Sequence, residues 1–272
     1  MGGASIAQLG LPKTVKSLLL ITLVCAVCLT DAQATPPQSN SVVRLRISHG
    51  STRVGDIDIE LYDAEKPVTV SNFLAYVQSR NYDNSILHRC VPGSTGSFLQ
   101  GGGWRIPDPA NPESLGQFVN VSHIPPFPAI TNESLVGQPY NNIARTIAMA
   151  PDGTNLNSAR SEWFFNLVNN PTLDSNSGGY VVFGKATNGL AVLDYFNSLP
   201  TANIFNMTSA VHQACAVHIS PDDVFGYPFT ELPIFALPYA CPIYSDLFSV
   251  QAIMISGPDV LQIGRASCRE RV

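Results

Sequence analysis

The sequence predicts an all-β protein with two helices, and three observations carry that prediction. Charged residues make up only 13% of the chain, while glycine and proline number 20 and 21, a profile that favours short strands and many turns over long surface helices. Apolar and polar residues alternate near the start of the chain, the period of a strand with one buried face. Two other segments space their apolar residues at i, i+3, i+4 and i+7, the stripe of a helix.

Taken in order, residues 1–34 read as an export signal. Lys13 and Lys16 precede an apolar run from Leu18 to Leu29, and Ala32-Gln33-Ala34 offers a small-x-small site for cleavage before Thr35. The run of about 12 apolar residues falls short of the roughly 20 that a spanning helix needs, so no stable membrane insertion is expected. Residues 35–41 form a Pro/Ser/Gln linker, and 42–220 are expected to form the main domain.

In that domain Val43, Leu45 and Ile47 alternate with Arg44 and Arg46. After a polar turn, Ile57, Ile59 and Leu61 alternate with Asp56, Asp58 and Glu60, which predicts a hairpin. Pro67 suits a first helical position, and Val70, Phe73, Leu74 and Val77 make one apolar stripe. Further strands are predicted over 85–91, 97–100, 145–150, 163–168, 180–185 and 215–219. A second helix follows Asn188-Gly189, with Val192, Tyr195, Phe196 and Leu199 on its apolar side. Many antiparallel strands protect their edges by closing into a barrel or stacking as a sandwich, and periodicity does not choose between the two.

Beyond Ile219 the composition shifts to prolines and aromatics, among them Phe225, Tyr227, Phe229, Phe235 and Tyr239. Residues 221–261 therefore read as an appended extension, a strap on the domain surface in preference to an independent binding module. Residues 262–272 are expected to be foreign to the natural protein, because IGRASCRERV is the translation of a widely used sequencing adapter. It also crowds arginines into an otherwise charge-poor chain.

A net charge of -5 supplies no basic surface for a phosphate backbone, so nucleic acid is not an expected partner. The histidines show neither HExxH nor paired Cys-x-x-Cys spacing, so no metal site is expected. Cys25 and Cys28 leave with the signal. In an oxidising compartment Cys215 and Cys241 could pair, or they and Cys90 could be buried free thiols, and both readings stand. Asn120-Val121-Ser122, Asn132-Glu133-Ser134 and Asn206-Met207-Thr208 are glycosylation sequons.

Six motifs in order carry a resemblance: GDIDIELYDAEKPVTVSNFLAYV (55–77), NYDNSILHRCVPG (81–93), QGGG (100–103), RTIAMA (145–150), SARSEWFFNL (158–167) and GGYVVFGKATNGLAVLD (178–194). Over 43–219 the chain resembles the cyclophilin-type peptidyl-prolyl cis-trans isomerases. Glu162-Trp163-Phe164-Phe165 and Tyr180 look most like the exported bacterial branch. The resemblance implies a closed antiparallel barrel of about eight strands capped by helices, isomerase activity on proline-containing peptides and unfolded proteins, and no cofactor.

Residue by residue, the resemblance makes Arg89, from the HR motif, the catalytic donor, and Gln100 a hydrogen-bonding partner of the substrate backbone. Phe98, Met149, Ala150, Phe164, Leu173 and Tyr180 would bind the substrate, and His88 would be structural. The chain departs from the family pattern at Ser94-Thr95-Gly96, an insertion before QGGG, and at an extra residue around 152–156. Two other functions are weighed: a non-catalytic module binding proline peptides on the same fold, and a carbohydrate-binding β-sandwich. The expected location is secreted or periplasmic.

Overall fold

A computed structural model of the chain describes residues 39–108, 120–174, 179–206, 218–219, 229–235 and 242–257. The expected export signal, the possible Cys215–Cys241 pair and the 262–272 tail lie outside the described residues.

The opening hairpin forms as its alternation requires. Strands β1 (Val42–His49) and β2 (Thr52–Leu61) pair antiparallel with Leu45 opposite Ile57. Val43, Leu45, Ile47, Ile57, Ile59 and Leu61 are all buried in the main core. On the polar face Arg44 sits opposite Asp58 and grips it with two bonds, Nε to Oδ1 at 2.6 Å and Nη2 to Oδ2 at 2.8 Å. The bond from Arg44, set against the cost of burial, holds the Asp58 carboxyl below its ordinary range.

Helix α1 (Pro67–Gln78) buries Val70, Phe73 and Val77 of the predicted stripe, and Tyr76 with them. Its own N-cap, Lys66, makes no side-chain cap bond. The carboxylate of Glu133, distant in sequence, accepts instead from the backbone N–H groups of Val68 (3.1 Å) and Thr69 (2.7 Å) and from the Thr69 hydroxyl (2.7 Å), satisfying donors that a helix start leaves orphaned. The second helix, α2 (Leu190–Asn197), buries Val192 and Phe196, while Leu199 is buried just past its end. Gly189 before it has φ +73°, and a Cβ there would lie 1.8 Å from the Asp56 carbonyl oxygen, so only glycine fits.

The remaining strands are β3 (Ser85–Ile86), β4 (Arg89–Val91), β5 (Phe98–Gly101), β6 (Trp104–Arg105), β7 (Asn120–His123), β8 (Thr146–Met149), β9 (Trp163–Asn166), β10 (Val182–Asn188), β11 (Ile204–Phe205), β12 (His218–Ile219), β13 (Leu232–Pro233) and β14 (Phe248–Ser256). The expected closed barrel of about eight strands is corrected: among the described residues the strands form one open, curled order of twelve, β12-β7-β6-β3-β14-β1-β2-β10-β8-β9-β5-β4, with β11 and β13 paired apart. The single strand expected over 85–91 is divided at Leu87-His88 into β3 and β4, which stand at separate places in that order, while Leu87 N–H donates to the Phe248 carbonyl of β14 (2.9 Å) and His88 N–H to the Gln100 carbonyl of β5 (3.1 Å). Beyond β3 the order is prolonged by β6, β7 and β12.

The segment read as an appended extension is also corrected. Its strand β14 lies in the middle of the sheet between β1 and β3, and its Phe248, Val250 and Ala252 belong to the main core.

Candidate active site

Strands β4, β5 and β9 build the site side by side. Arg89 stands opposite Gln100, Val91 opposite Phe98, and Gln100 opposite Phe164. Strand alternation then puts Arg89, Phe98, Gln100 and Phe164 on one face, with Cys90, Leu99 and Phe165 turned into the main core. Burial pushes the Cys90 thiol up to about 12, with the nearby Glu231 charge adding to it, so this cysteine is an inert core residue.

The glycines of QGGG let these strands come close. A Cβ on Gly101 would lie 2.8 Å from the Trp163 ring, and Gly102, at φ +81°, would bring one within 2.4 Å of the Ser161 carbonyl oxygen. The inserted Ser94-Thr95-Gly96 is closed off by its neighbours. The Ser97 hydroxyl bonds the Val91 carbonyl (2.7 Å) and the Asn197 side chain (2.6 Å), and the Asn170 amide holds the Ser97 carbonyl (3.0 Å). Phe98 is thereby locked in register opposite Val91.

Arg89 is held from two directions. Its Cζ lies 4.7 Å from the centre of the Phe98 ring, within the range of a cation–π contact, and its Nε donates to the Glu231 carboxylate. Gln100 donates from Nε2 to Glu162 Oε2 at 2.6 Å. A carboxylate can only accept, so this bond turns the amide NH2 toward Glu162 and leaves the Gln100 carbonyl oxygen facing away. His88 Nε2 lies 3.5 Å from the same Glu162 oxygen. Burial pushes the Glu162 carboxyl up, but its interactions with His88 and Gln100 outweigh that and hold it below the usual carboxylate range.

Beside this polar pair lies an aromatic cluster. Phe164 meets Phe98 edge to face at 6.1 Å and Tyr180 at 5.6 Å. Ala150 and Leu173, partly buried, pack into the same cluster. Met149 does not. In β8 it is Ala148 that stands opposite Phe164, whereas Met149 stands opposite Trp163 and is buried in the main core. The sequence expectation that Met149 joins this group is corrected by the alternation, and Ala148 packs in the cluster instead.

The sequence reading also missed Tyr62 and Tyr140, stacked at 4.0 Å within that cluster, and the carboxylates of Glu162 and Glu231. Glu162 was within reach, since it lies in a quoted motif two residues before Phe164. Nothing in the sequence singles out Glu231.

Taken together, the described residues form a β-rich fold with two helices that carries an arginine and a glutamine beside an aromatic cluster. The chain belongs to the family described as cyclophilin type peptidyl-prolyl cis-trans isomerase/CLD, whose model matches residues 44–217. It is a peptidyl-prolyl cis-trans isomerase. A peptidyl-prolyl cis-trans isomerase of Acinetobacter baylyi is 31% identical over 177 residues, covering 64% of this chain and 79% of the relative. One from Streptomyces antibioticus is 35% identical over 158 residues, covering 56% and 84%. A solved Cryptosporidium parvum cyclophilin type isomerase, crystallised in the presence of the dipeptide Ala-Pro, aligns with 21% identity and a TM-score of 0.46 over 79% of this chain and 99% of its own.

Proposed function

We propose that the protein speeds isomerisation of X-Pro bonds in exported polypeptides, with Arg89 as donor to the prolyl nitrogen and the Phe98, Phe164 and Tyr180 slot seating the proline ring. The observation that carries this reading is the placement of the Arg89 guanidinium over Phe98, one strand away from Gln100 and two from Phe164.

The chemistry asks for little. Rotation about the amide faces a barrier of about 18–20 kcal/mol because the nitrogen lone pair is delocalised. A donor aimed at that nitrogen is bonded most strongly when the amide is twisted and the lone pair is localised, so it stabilises the transition state more than the ground state. Gln100, with its NH2 committed to Glu162, offers its carbonyl oxygen to a substrate backbone N–H. The Tyr180 hydroxyl donates to a substrate carbonyl, and Ala150 and Leu173 complete the apolar wall. No cofactor takes part. Partners are proline-containing peptides and unfolded proteins, for which uncatalysed isomerisation takes tens of seconds or longer. The export half of the reading rests on Lys13, Lys16, the 18–29 apolar run and Ala32-Gln33-Ala34, and it places the mature chain outside the cytoplasm, secreted or periplasmic.

One expression experiment tests both halves. Made with residues 1–34 in a secreting bacterial host, the protein is expected in the periplasmic fraction, beginning at Thr35 and active in a protease-coupled prolyl peptide assay. Arg89→Ala from the same fraction should be folded but slower by on the order of 10²-fold, since loss of one preorganised donor costs about 2.7–4 kcal/mol. Normal turnover by Arg89→Ala would sink the mechanism. Retention in the cytoplasm with residues 1–34 intact would sink the export reading.

A further inference from the structure

We infer that Glu231 is a positioning residue of the isomerase centre: it holds Nε of Arg89 and so sets the plane and reach of the guanidinium from a segment beyond the family-matched region. The inference rests on the reading of Arg89 as the donor to the prolyl nitrogen.

The backbone around Glu231 is built onto the site. Its carbonyl accepts from the Cys90 N–H at 2.7 Å, on the side of β4 away from β5, so the segment docks along the residue next to Arg89. Phe229, Leu232 and Ile234, on either side of Glu231, are buried in a second core with Ile86, Trp104 and Phe205. β13 pairs with β11, and the Asn203 carbonyl accepts from Ile234 N–H at 2.9 Å. A side chain that begins on so fixed a backbone has few ways to move, and its carboxylate meets Arg89.

The choice of atom matters. Glu231 engages Nε, and among the described residues neither terminal nitrogen of Arg89 has a bonded partner. The far end of the fork is thus left for substrate. The Phe98 ring bounds one face of the guanidinium while the carboxylate fixes one edge, and together they define its plane. A long flexible side chain held this way does not have to be ordered in the transition state, a gain that appears in turnover more than in binding. The carboxylate also withdraws some positive field from the prolyl nitrogen. The Arg89 and Glu231 side chains are 46% and 32% exposed, so water screens that field and orientation dominates.

The test is a double-mutant cycle on the full chain with proline peptides, reading kcat and KM separately and the thermal midpoint of each variant. Glu231→Ala should lower kcat by about tenfold with KM little changed. Glu231→Leu, which keeps bulk without an acceptor, should match it, and Glu231→Gln, which keeps an acceptor, should recover most of the loss. In an Arg89→Ala background Glu231→Ala should add nothing. Arg89→Ala with normal turnover would remove the underlying reading of the site. If instead Arg89→Ala is impaired, three results overturn the role of Glu231 alone: wild-type kcat in both Glu231→Ala and Glu231→Leu, a loss that adds in full to that of Arg89→Ala, or a rise in kcat, which would make the carboxylate a competitor for the guanidinium.

Discussion

At the scale of single residues, the shape of the cation at position 89 matters beyond its charge. Arg89 is gripped at Nε and covered by Phe98, and both contacts use the planar fork that a lysine lacks. An ammonium is a compact, strongly hydrated charge with no plane to orient. Arg89→Lys is therefore expected to keep less than about a tenth of wild-type kcat/KM, which is a loss of about 1.4 kcal/mol or more in transition-state binding. Turnover of the lysine variant near the wild-type level would show that charge alone suffices. Arg89, Gln100 and Phe164 were singled out from motifs whose spacing matches the family, and the strand register brings them to one face. Met149 was misread for a physical reason. All four residues of β8 are buried, so the strand shows no polar face from which to tell slot from core.

At the scale of elements, the β1–β2 hairpin shows how a readable pattern acquires pH dependence. Asp58 is held below its ordinary value, first by the Arg44 bond acting against burial, with Asn188 adding to it. A carboxyl depressed in the folded state contributes stability that is fully present above its unfolded value, about 3.9, and is lost as pH falls through the lower folded value. Glu60 and Glu162 are depressed too, so the protein should lose thermal stability progressively below about pH 5. Asp58→Asn should be less stable than wild type at neutral pH and should show a shallower decline in acid, measured as thermal midpoint against pH. Parallel curves would mean that the pair contributes no linkage. The pairing of Arg44 with Asp58 follows from their opposite register in an antiparallel hairpin. The capping of α1 by Glu133 does not, since the two are brought together only by the path of the chain.

At the scale of the whole molecule, the strand that completes the core comes from beyond the family-matched region, which ends at residue 217. β14 pairs with β1 along its whole length and buries Phe248 and Val250. Burying each such side chain is worth roughly 1.5–3 kcal/mol, a large share of a typical margin of about 5–15 kcal/mol. A chain of residues 35–220 should consequently show no cooperative thermal transition by circular dichroism and no isomerase activity. A sharp melt with activity would return the C-terminal segment to the status of a strap. Composition and period sufficed to predict a β-rich chain, its first hairpin and both helices of the described residues, because each of these is encoded by neighbours a few residues apart. Only the tertiary structure decided that among the described residues the sheet order is open and twelve strands long, that Met149 faces the core, that β14 is central and that Glu231 reaches Arg89. Those facts depend on pairings between segments tens to hundreds of residues apart, such as the 142 positions from Arg89 to Glu231. Local pattern carries no information about which distant edge a strand will meet.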